Sequence, residues 1–88
     1  MKKGDIVTWE SQSGGVIKKK TGEIIAMISS GDGAMRLLPE SAKKSHIKFD
    51  KDVSAWDRAL VAVRTGKDNQ LTHYYCPSVK VLAEQGNA

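Results

Sequence analysis

The chain has 88 residues, room for one domain (1–88) around one modest core. Its formal net charge is +4, and residues 1–51 hold the whole excess: ten Lys or Arg stand against six acids there, and four against four in the remainder. A single cysteine, Cys76, excludes an intrachain disulfide, and no apolar run approaches transmembrane length.

Met1-Lys2-Lys3 leads into a glycine and a strand pattern rather than the apolar core of a secretory signal, so a cytoplasmic protein with no membrane contact is expected. Residues 5–10, Asp-Ile-Val-Thr-Trp-Glu, are dominated by β-branched and aromatic types and read as a strand. Residues 11–20 read as a long polar and basic loop, with Gly14-Gly15 inside it and Lys18, Lys19 and Lys20 at its exit. The loop lacks the spacing of a phosphate-binding glycine loop, and no helix follows it. Residues 22–28 are apolar on both faces, too short for a helix, and read as the second strand. Residues 29–53 form an insertion or long loop; Met35-Arg36-Leu37-Leu38 within it suggests a short edge strand, with Pro39 confining it to an edge.

Ser54 and Asp57 match a capping-box pattern, which predicts a short helical turn over 54–57 before a strand to Arg64. Residues 66–70 predict a hairpin loop, and 71–75 a returning strand that Pro77 ends. Residues 78–82 predict a turn and closing strand, and 84–88 a loose tail. Together these elements describe an all-β fold: a small SH3-like (Tudor/KOW-like) five-stranded barrel with a long basic loop and a short helical turn.

The motif Lys3-Gly4-Asp5-x-Val7-x-Trp9, continued by Ser11-Gln12-x-Gly14-Gly15 and Lys20-Thr21-Gly22-Glu23-Ile24, resembles the opening of small bacterial proteins similar to the Tudor-like hypervirulence-associated domain. Tyr75-x-Pro77-x-Val79-x-x-Leu82 resembles their closing motif, so the likeness covers roughly residues 3–28 and 58–82. It implies an SH3-like barrel and a small binding module, with no catalytic residues to carry over. It also implies a role on a mobile element such as a phage or plasmid. Cys76 departs from the pattern, standing where an aromatic is expected.

Two binding readings follow from the side chains. Lys18, Lys19, Lys20, Lys43, Lys44 and Lys48 form a candidate phosphate-contacting face for DNA or RNA, with Trp56 or Tyr74 stacking on bases. Alternatively the chain is a protein-interaction module or an accessory or inhibitor protein, anchored by the same two aromatics. A solvated lysine surface and ordinary barrel packing are the plain explanations of the same residues. Tyr74 and Tyr75 point to opposite faces of one strand, and Tyr74 is expected outward. Trp9 is expected in the core and Trp56 partly exposed. His73-x-x-Cys76 has metal-like spacing, with His46 as a possible third ligand, but residues three apart on a strand face opposite ways and no full ligand set exists, so no metal and no cofactor are expected. No nucleophile–base pair is selected by spacing, so an enzyme is not expected. An edge-strand dimer through residues 35–38 is the one oligomer the pattern suggests.

Overall fold

A computed structural model describes residues 1–84 of the chain. It contains one antiparallel sheet of five strands: β1 (Ile6–Ser13), β2 (Val16–Ile28), β3 (Arg58–Thr65), β4 (Leu71–Tyr75) and β5 (Ala83–Glu84), in the order β4-β3-β2-β1-β5. Helical structure among the described residues is limited to short 3-10 turns. No ladder joins β4 to β5 among those residues, so the sheet is curled but unclosed. Residues 85–88 of the expected tail lie outside the described residues, and Glu84 pairs with Val7 in β5.

The expected long loop over 11–20 is instead a hairpin. β1 and β2 pair without interruption from Ile6↔Glu23 to Ser13↔Val16. Gly14 and Gly15, at φ 60° and 82°, make the two-residue turn. Two consecutive left-handed positions twist as the flanking strands do, and glycine reaches them without a Cβ penalty. A polar Ser-Gly composition therefore marked a turn of two residues, with the lysines on a strand.

β2 serves two neighbours in succession. It pairs with β1 as far as Glu23, and with β3 from Glu23 to Ile28. The hand-over is sharp. A Cβ on Gly22 would stand 2.6 Å from the Ala62 carbonyl oxygen and 2.6 Å from Val61 Cγ1. The ladder register then shifts between Ile24 and Ala26, a bulge that bends the strand further.

Alternation along β3 divides the core in two. Ala59 and Val61 join Val7, Trp9 and Ile24 on one face, backed by Val63, Tyr75 and Leu82. Leu60 faces the other way with Ile28, Ala34 and Tyr74, backed by Leu37, Leu38 and Phe49. Strands covered on both faces read as continuous apolar runs, which is why residues 24–28 and 59–63 lack clean alternation.

The second cluster exists because residues 29–53 fold back over the sheet. Their ends are fastened by Arg58, only 5% exposed. Its guanidinium donates to the carbonyls of Lys51 at 2.8 Å, Asp52 at 2.7 Å and Asp32 at 3.4 Å. Asp52 in turn accepts from the backbone N–H of Met35 through Oδ1, 2.8 Å, and of Ala34 through its carbonyl, 2.8 Å.

Three expectations are corrected by this arrangement. Residues 35–38 form no edge strand: Met35–Leu37 is a 3-10 turn, and Leu37 and Leu38 pack on the second cluster, so they present no edge for dimerisation. Residues 54–57 form no helical turn. Ser54 Oγ accepts from the N–H of Trp56, while Asp57 accepts from Ser30 N–H at 2.8 Å, a longer-range partner that replaces the capping box. Tyr74 points inward, 8% exposed, because the folded-back segment covers its side of β4. Trp9 is buried as expected, and Trp56 is 57% exposed.

Candidate functional site

β2 and β4 are separated by β3, yet the curl of the sheet brings their side chains together. The Lys20 ammonium stands 4.8 Å from the centroid of the Tyr75 ring. Trp9, the ladder partner of Lys20, meets the same ring edge-on with centroids 5.8 Å apart. A cation over a ring face and an aromatic at its edge both suit the ring's quadrupole.

His73 lies two residues before Tyr75 and shares its face. The covering segment supplies the rest. Lys48 N–H donates to the Tyr74 carbonyl at 2.8 Å, and Ile47 bridges to Tyr74 in parallel. This contact lays the short turn Lys44–His46 beside β4 and sets the His46 and His73 rings 5.2 Å apart, centroid to centroid. Lys48 Nζ donates to the Ser45 carbonyl at 3.1 Å, which holds its charge against the same turn.

The electrostatics match the geometry. Partial desolvation, then the positive charges of Lys48, His46 and Lys20, hold the His73 imidazole below its ordinary range. Cations gathered together raise one another's free energy, and an arriving polyanion relieves it.

The expected lysines therefore part company. Lys20 and Lys48 join the cluster. Lys43 and Lys44 are exposed at the turn that carries His46. Lys18 and Lys19 stand outside it, on the part of β2 beyond Lys20. Tyr74 is too deeply buried to stack on a base. Trp56 has a different neighbour: Lys80 Nζ lies 4.7 Å over its ring. Beside it Asp57 and Val79 lead into a shallow groove lined by Met1 and Met27.

No family model matches this chain. Nor does any curated protein or solved structure. The site thus rests on its own geometry. His46, His73 and Tyr75 are the members that spacing did not select for binding, and their convergence depends on pairings between segments tens of residues apart. The available signals were the shared face of His73 and Tyr75 and the metal-like grouping of His73 with His46, which pointed to a different chemistry. Cys76 packs with the second cluster, away from His73 in the chain's alternation, and burial pushes its thiol up against the opposing pull of Arg58. Among the described residues no group of three or more His, Cys, Asp or Glu is placed to hold a metal ion. No helix among them is long and apolar enough to cross a membrane.

Proposed function

We propose that the chain is a non-enzymatic, SH3-like binding module of the cytoplasm that contacts nucleic acid through its cationic face. One observation carries the reading: Lys20 stands over Tyr75, His46 packs beside His73 on the same strand, and the backbone of Lys48 is bonded to that strand, so three separate segments bring basic side chains to one place. The barrel-like part of the reading is supported by the strand order, a four-strand meander with β5 returning beside β1 after a 3-10 turn at Val79–Val81. Lys43 and Lys44 extend the face along the folded-back segment. Phosphates are the natural ligands of such a surface, and each contact releases counterions.

The test is fluorescence anisotropy of labelled DNA and RNA across a salt series. Binding is expected to weaken steeply with salt. Replacing Lys20 and Lys48 together by alanine is expected to lower the salt slope by about 1.8, two phosphate contacts' worth. Absence of binding at low salt removes this reading.

A second reading has its own support in the exposed Trp56 and the apolar groove beside it. An exposed tryptophan next to a groove is a common anchor for a protein partner. Trp56→Ala would then abolish a protein complex that the lysine variants leave intact.

A further inference from the structure

The β1–β2 hairpin outgrows the sheet that bears it. β5 pairs only with Val7 and Thr8, and β3 pairs with β2 only from Glu23 onward. From Trp9↔Lys20 to Ser13↔Val16 the two strands have, among the described residues, only each other as ladder partners. Trp9 roots this ribbon in the core. Beyond it Glu10, Val16, Ile17, Lys18 and Lys19 are exposed, with Val16 at 55% and Ile17 at 64%.

Side chains alternate along a strand, so Val16 and Lys18 occupy one face of the ribbon and Ile17 and Lys19 the other. Lysines serving one flat anionic surface would share a face. Phosphates reach both faces of a ribbon at once only in a groove, where each wall carries a strand of them. The B-form major groove is about 12 Å wide and admits a two-stranded ribbon. The corresponding groove of A-form RNA is deep and narrow. We propose that the ribbon enters the major groove of double-stranded DNA, with Lys18 and Lys19 each meeting the phosphates of one wall. Val16 and Ile17, next to the Gly14-Gly15 turn, then lie at the groove floor, where thymine methyl groups give apolar contacts. Glu10 stands opposite Lys19 in the ladder and opposes this docking with its charge.

The proposal rests on the nucleic-acid reading above and adds the form of the partner and the element that reads it. The probes are a short AT-rich duplex and one of its single strands, titrated over a salt series. Lys18→Ala and Lys19→Ala are each expected to lower the duplex salt slope by about 0.9, and together by about 1.8. Glu10→Gln is expected to tighten duplex binding, and the minor-groove ligand netropsin to leave it unchanged. These exposed substitutions leave the core untouched, and thermal melts confirm it. An unchanged slope in the Lys18/Lys19 double variant, with a reduced slope when Lys20 and Lys48 are replaced, overturns the ribbon and leaves the cationic face standing. Equal affinity for the single strand, or displacement by netropsin, also overturns it. No binding to any nucleic acid removes both.

Discussion

The two halves of β2 share one backbone, yet they pair mainly with different strands, β1 and then β3, and live in different surroundings. Residues 16–19 carry side chains into solvent on both faces, whereas 22–28 place Ile24 and Ile28 in two separate core clusters. Both halves make the same kind of ladder bond. Since such bonds exchange for bonds to water, the difference in stability between the halves comes from apolar burial. The buried half holds the fold, and the solvated half is free to carry charge and contact a ligand.

Truncating the same residue type on each side of the divide sharpens that contrast. Ile24→Ala removes a fully buried side chain and is expected to destabilise the fold by about 3–4 kcal/mol in chemical denaturation. Arg58→Met tests whether the second cluster depends on the folded-back segment. It would leave the carbonyls of Lys51 and Asp52 without their donor, at a cost of about 2–3 kcal/mol, and expose Tyr74 to quenchers.

The histidine pair gives a smaller, pH-dependent effect. The neutral His73 ring is favoured in the folded protein, so its contribution is complete above about pH 6.5. That contribution fades as pH falls through this value toward the lowered folded one, because the unfolded chain then binds more protons. A bound polyanion reverses the pressure on the ring. Nucleic-acid affinity should therefore rise as the pH falls below about 6.5, and His73→Gln should flatten the rise. Titrating the anisotropy against pH reads this directly. Smallest of all, Ile17→Ala on the ribbon should cost less than about 1 kcal/mol, a β-propensity effect without a cavity. Equal losses at Ile17 and Ile24 would break the contrast.

The strands themselves were legible. Residues 5–10, 22–28 and 71–75 announce strands through β-branched and aromatic runs bounded by glycine or proline, and the structure has β1, β2 and β4 there. Residues 11–20 were misread because Ser and Gly lower strand propensity along a hairpin that cross-strand pairing sustains. Residues 29–53 carry no strong period, and their path is fixed by the Arg58 and Asp52 hydrogen bonds rather than by local preference. Two of the six lysines, Lys20 and Lys48, reach the central cluster. Of the histidines beside them, His73 was marked by the face it shares with Tyr75, and nothing local placed His46 against it.

By itself, the sequence determined what short-range chemistry controls: an all-β domain, the turn residues, an inward Trp9 and a cationic first half. Tertiary structure decided which side of β4 is covered, which lysines stand together, and that two histidines meet. Those outcomes depend on sheet curl and on contacts between distant segments. A period-2 pattern separates the faces of a strand, but it cannot say which face another part of the chain will cover.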